Sequence, residues 1–205
     1  DCVFFSDGVG YFGEVYKNFE EATSEIMITD WWFSPEVPLL RPTRDGIESD
    51  FSRIDRTLQR AAQRGVRVYV IVYKEFSMSM SNDSEHVKKT LEALHPNIKV
   101  LRHPNVIVSL WSHHEKMIII DRAIAFVGGL DLTWGRWDSK DHRLFNETPK
   151  QMETYFPGVD YYNPMIKEIV KGRVFSKSII EKVHPRMPWH DVSVMLNGPV
   201  VKDLT

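Results

Sequence analysis

Four valines at every second position, Val66, Val68, Val70 and Val72, constrain this chain more than any other feature. The run VRVYVIVY puts them on one face only if it is extended, because side chains alternate across a strand. Helical patterns bracket it. Phe51, Ile54, Leu58, Ala61 and Ala62 recur at helical spacing and stop at Gly65. Val87, Leu91 and Leu94 mark another helix, ended by Pro96. Upstream, Phe12, Val15, Phe19 and Ala22 share a helical face. CVFF before it reads as a short buried strand, and EIMITDWW after it as a strand with a polar, aromatic tip. IKVLRH and DVSVML read as further strands. This alternation is the α/β pattern, a mixed β-sheet flanked by helices.

The 205 residues suit one domain, or one lobe of a larger one. A net charge of -2 argues against a general polyanion binder. No stretch approaches the roughly 20 apolar residues needed to cross a bilayer. One cysteine, Cys2, excludes a disulfide within the chain and fits a reducing compartment. The chain starts at Asp1 and stops at GPVVKDLT, where a new helix begins, so it reads as a piece of a longer polypeptide. The proline-rich FSPEVPLLRPTRDG is a loop. After Gly129 regularity fades into a stretch whose aromatics argue for a functional loop over plain disorder.

The chemistry concentrates in WSHHEKMIIID, residues 111–121. On a strand, His114 and Lys116 point the same way, with Ile118 and Ile120 behind them. Glu115, Met117, Ile119 and Asp121 point the other way, so Asp121 braces the scaffold. A two-histidine zinc helix would need histidine at position 118, which is Ile118. A serine or cysteine triad has no nucleophile elbow here. Imidazole beside a fixed ammonium suits an anionic phosphoryl group: lysine holds the oxygens, and histidine attacks phosphorus or protonates the leaving oxygen. Taken alone, such a triplet is most often a solvated strand end.

His114, Lys116 and Asp121 fit H-x-K-x(4)-D, and Gly128, Gly129, Leu130 and Asp131 follow. This resembles the signature of the phospholipase D superfamily. SHHEK, AFVGGLDL, GRWD and RMPWHD together resemble the eukaryotic phosphatidylcholine-hydrolysing phospholipases D, and the resemblance covers nearly the whole chain. It implies one lobe of the two-lobed phospholipase D fold, with residues 1–205 the N-terminal half of the catalytic domain.

The resemblance also implies roles. His114 is one of two catalytic histidines, the nucleophile by preference, and Lys116 holds the phosphate. Asp121 is the motif's supporting acid. Asp131 stands where many superfamily members carry an Asn that contacts phosphate. Asp191 matches the acid that orients the imidazole. Gly128 and Gly129 let the backbone approach the phosphate, the alternative being a simple turn. Trp31, Trp32, Trp111, Trp134 and Trp137 are candidates for the pocket wall, with core packing open for some. Arg136 and Asp138 could form a structural ion pair, and His113 is structural.

The family uses two H-x-K-D copies, and this chain has one. The other triplet, His86 to Lys88, has Ala93 where the acid should stand and reads as a surface pair on a helix. A second lobe is therefore expected as partner. The resemblance implies chemistry without a metal or other required cofactor, at a phospholipid membrane surface. It further implies a cytoplasmic, peripheral location, a phosphoinositide activator, and small-GTPase or kinase regulators. No nucleic acid partner is expected. Two alternatives stay open: a superfamily nuclease or phosphodiesterase working as a homodimer, and a non-catalytic lobe that binds phospholipid headgroups.

Overall fold

The computed structural model describes residues 1–41, 43–44, 50–75, 82–104, 111–145, 153–154, 156, 161 and 185–205. Its elements run β1 (Cys2–Ser6), α1 (Gly8–Glu21), β2 (Glu25–Asp30), β3 (Thr43–Arg44), α2 (Ile54–Gln63) and β4 (Arg67–Tyr73). They continue with α3 (Ser84–Leu94), β5 (Ile98–His103), β6 (Met117–Ile120), β7 (Ile124–Gly128), β8 (Glu153–Thr154) and β9 (Val192–Asn197). A 3-10 helix, Pro199–Leu204, follows. Seven strands form one sheet in the order β1-β9-β7-β6-β2-β4-β5, while β3 and β8 pair separately.

The sheet is mixed, as the expected fold class has it. β2, β4 and β5 run parallel, joined through α2 and α3. β6, β7, β9 and β1 continue the sheet antiparallel. The alternating valines Val66 to Val72 are buried, as are Phe12, Val15, Phe19 and Ala22 of the first helical stretch. Together with Leu58, Val87 and Leu91 they form one core between helices and sheet. Ile118, Ile120 and Phe126 face this core, whereas Ile119 and Ala125 face a small second cluster under the 3-10 helix.

Two readings are corrected. CVFF is an edge strand, with Phe4 77% exposed, because β1 has only β9 for a neighbour. Phe51 lies outside the second helix and is exposed, covered by the Arg60 guanidinium. The long stretch after Gly129 falls partly outside the described residues, as does His184.

Register places the site. Ile28 pairs with Ile118, Ile118 with Phe126, and Phe126 with Met195. The next row toward the end of the parallel strands carries Asp30, Lys116, Gly128 and Ser193, since Gly128 pairs with Ser193 and its amide donates to the Lys116 carbonyl at 3.3 Å. Ligand sites in α/β sheets gather at this end of the strands.

Candidate active site

Lys116 and Asp30 are both on this row, and both are buried. The Lys116 ammonium donates to the His114 carbonyl at 3.0 Å and pairs with Asp131 Oδ1 at 3.0 Å. Asp131 is fixed in turn by the Trp32 amide at 3.1 Å. Asp30 accepts from the amides of Trp31 and Leu132 at 3.0 and 2.8 Å. Burial pushes its carboxyl well above the usual carboxylate range, and the neighbouring Asp131 charge and a hydrogen bond to Asp131 add to the rise. Asp131 thus stands between Asp30 and two cations, Lys116 and Arg136, whose Nε lies 3.8 Å from Asp131 Oδ2. Buried cations gathered at a strand end suit an anion.

His114 stands beyond the strand end, with its ring exposed and 5.0 Å from the Trp31 ring. Partial burial lowers its pKa, the Lys116 and Arg136 charges lower it further, and Asp131 and Asp191 oppose them. The neutral, nucleophilic form thus prevails near pH 7. Asp191 acts on the ring through its field. No side chain among the described residues hydrogen-bonds the His114 imidazole, and Asp191 Oδ1 instead accepts the Val192 amide at 2.9 Å.

Asp121 is at the other end of β6. Seven residues of extended chain separate it from His114, roughly 23 Å at a strand's rise. It occupies a turn with Arg122, both at φ 53, in place of the far face of a strand. Its carboxylate takes the amides of Thr23, Ser24 and Glu25 at 2.8, 2.8 and 2.9 Å, with the Thr23 and Ser24 hydroxyls. The motif's acid thus ties the hairpin to the start of β2 and does not touch the reacting end.

Gly128 and Gly129 also differ from expectation. The space of an absent side chain at Gly129 is taken by Asp191, whose Oδ1 lies 2.0 Å from where a Cβ would stand. At Gly128 the intruders are Ser193 Oγ at 2.3 Å and the Val192 carbonyl at 2.5 Å. The glycines admit β9 and Asp191, so the close approach is made by protein.

Of the wall candidates, Trp31 and Trp32 border the site; Arg136 sits 5.5 Å from the Trp32 ring. Trp137 is core, packed on Phe156. Trp134 packs on the core edge, and Trp111 is 78% exposed with no ring contact among the described residues. His113 is structural: its Nε2 is 2.8 Å from the Thr29 hydroxyl. His86 and Lys88 pair with Glu36 and Glu92 on the surface of α3. Arg136 pairs with Asp131, and Asp138 with Arg186 at 2.8 Å, which replaces the expected Arg136–Asp138 pair.

Sequence reasoning missed two residues. Asp30 follows Ile26 and Ile28 at alternate positions, an acid on the buried parity of a strand. Trp189, against which Arg136 stacks at 3.7 Å, had no spacing signal.

Comparison with known proteins decides the family. The profile described as Phospholipase D matches residues 18–205.

The chain belongs to the phospholipase D family.

It is 40% identical to phospholipase D2 of Bos taurus over 98% of this chain and 23% of that protein. It is also 40% identical to phospholipase D zeta 2 of Arabidopsis thaliana over 98% of this chain and 19% of that one. The chain thus spans less than a quarter of these relatives' length. Among solved structures, the phospholipase D family member Nuc from Salmonella typhimurium shares the fold, with a TM-score of 0.51 at 12% identity, covering 100% of this chain and 89% of that one.

Proposed function

We propose that this chain is the N-terminal catalytic lobe of a phospholipase D that hydrolyses phosphatidylcholine to phosphatidic acid and choline, and passes the phosphatidyl group to primary alcohols. The observation that carries this reading is a neutral-leaning His114 beside a buried, positively charged cluster of Lys116 and Arg136. A His114 nitrogen forms a bond to phosphorus as the bond from phosphorus to the choline oxygen breaks. The leaving oxygen takes a proton from the histidine of a second lobe. Water or alcohol then attacks phosphorus, returns that proton to the second histidine and frees the His114 ring. Lys116 and Arg136 offset the negative charge on the phosphoryl oxygens.

On this reading the second lobe docks on the sheet. The α-helices cover one sheet face; the opposite face, partly capped by the 3-10 helix, carries a row in register, Met117, Val127, Val194 and Phe4. Phe4, Val127 and the nearby Val192 are exposed there. Among the described residues no helix is long and apolar enough to cross a membrane. On this reading the lobe works at a membrane surface as a peripheral protein, with phosphoinositide, small-GTPase or kinase input.

The test supplies phosphatidylcholine vesicles and 1-butanol to this lobe joined to a second H-x-K-D lobe. Phosphatidylbutanol is expected, and its loss in His114→Asn. A folded, vesicle-bound protein that makes none would sink the reading.

A further inference from the structure

Beside the reacting end, three metal-ligating side chains from three separate segments converge. Asp7 lies between β1 and α1, His142 in a turn after Trp137, and His190 just before β9. One ligand atom from each lies within 4.8 Å of the others. His190 Nδ1 is 2.6 Å from Asp7 Oδ1, and His142 Nε2 is 3.1 Å from Asp7 Oδ2. We propose that Asp7, His142 and His190 bind a divalent transition-metal cation of the zinc class, which buttresses the segment carrying Asp191.

The donor chemistry selects the ion class. Two imidazoles and one carboxylate suit zinc and its neighbours, whereas calcium and magnesium take oxygen ligands. Zinc bonds of about 2.0–2.2 Å at tetrahedral angles put ligand atoms roughly 3.3 Å apart. The three ligand atoms already lie within 4.8 Å of one another. His142 Nε2 is buried and close to Asp7, yet at an angle that makes no hydrogen bond, as suits two groups facing a common third partner. His190 is 65% exposed at its side chain, leaving an entry path and a position for water.

The backbone is shaped to bring the donors together. Asp7 is buried at φ 65 and ψ 172, a region that residues other than glycine rarely adopt. His142 is at φ 43, held by the hydrogen bond its amide donates to the Ser139 carbonyl at 3.0 Å. The link to the reacting end is direct. The Asp7 amide donates to the Asp191 carbonyl at 2.8 Å, and the Asp191 amide donates to Asp7 Oδ1 at 3.4 Å. An ion on Asp7 therefore fixes the chain beside Asp191. This role is separate from phosphoryl transfer, and its test needs no turnover.

Chelator-treated protein is titrated with Zn²⁺ alone by calorimetry, then with Co²⁺ followed by visible absorption, with Ca²⁺ as comparator. One equivalent of Zn²⁺ is expected at a micromolar or tighter dissociation constant, with cobalt bands of mixed nitrogen and oxygen ligation. His142→Ala and His190→Ala, both at partly exposed positions, each weaken binding at least tenfold with the circular dichroism unchanged. His103→Ala, in the other close ring pair with His113, leaves it unchanged. Absence of stoichiometric uptake, a preference for Ca²⁺, or binding that survives both substitutions overturns the proposal.

Discussion

Gly129 and Asp191 meet so closely that a side chain at 129 would overlap the carboxylate, with Oδ1 only 2.0 Å from an ideal Cβ. The intruder is the end of a side chain, so Gly129→Ala can fold by swinging Asp191 aside. It should retain its melting temperature within a few degrees and lose the electrostatic influence of Asp191 on His114. Gly128→Ala meets the Val192 backbone at 2.5 Å and should instead destabilise, by about 1–3 kcal/mol. Thermal unfolding of the two variants side by side separates these outcomes; equal losses would contradict the geometry.

His114 should titrate below the ordinary histidine value near 6.5. Asp191 favours the protonated ring, so Asp191→Asn should move the pKa further down, and the acid limb of any His114-dependent rate should move with it. NMR titration of the His114 Hε1 proton reads this directly. An upward shift in the variant would show that Asp191 does not face the ring.

Lys116 and Asp131 form a buried pair at 3.0 Å, so removing Lys116 leaves Asp131 with only the more distant Arg136 at 3.8 Å. Lys116→Met should cost about 3–5 kcal/mol in urea unfolding. Adding Asp131→Asn should recover part of that loss, because a buried carboxylate deprived of its nearest cation disappears. A fully additive double mutant would mean that the two are not coupled.

Asp121 supports stability with a definite pH dependence. Burial alone would raise its pKa, but the amides of Glu25, Ser24 and Thr23 outweigh burial and hold it well below the usual range. Because its folded pKa is depressed, its contribution is present above about pH 4, the unfolded value, and fades as pH falls through the folded one. Asp121→Asn should lose about 2–3 kcal/mol at pH 7, and the gap to wild type should narrow in strong acid. A gap independent of pH would refute the brace.

The sheet face away from the α-helices can be probed at Phe4. Phe4→Asp should leave the isolated lobe's stability within about 0.5 kcal/mol, since the ring is exposed. It should weaken association with a second lobe at least tenfold in analytical ultracentrifugation. Unchanged association would place the interface elsewhere.

Strand and helix positions followed from periodicity because Val66 to Val72 and Phe12 to Phe19 repeat at spacings only one backbone geometry can bury. CVFF was misread because an apolar run carries no information about how many neighbours its strand will have. His114 and Lys116 both approach the Trp31 ring, but β6 begins only at Met117, so strand parity does not place them. The bracing contacts of Asp121 are made from a turn and not from the far face of a strand.

The sequence by itself determined the α/β alternation, the family signature and the pairing of an imidazole with an ammonium, all properties of residues close together in the chain. Only the tertiary structure decided that Asp30 lies against Asp131, that Arg136 serves Asp131 and not Asp138, and that Asp7 meets His142 and His190. The first and last of these join residues about 100 or more positions apart, and charge and burial at such a distance depend on sheet order and register, which no local pattern encodes.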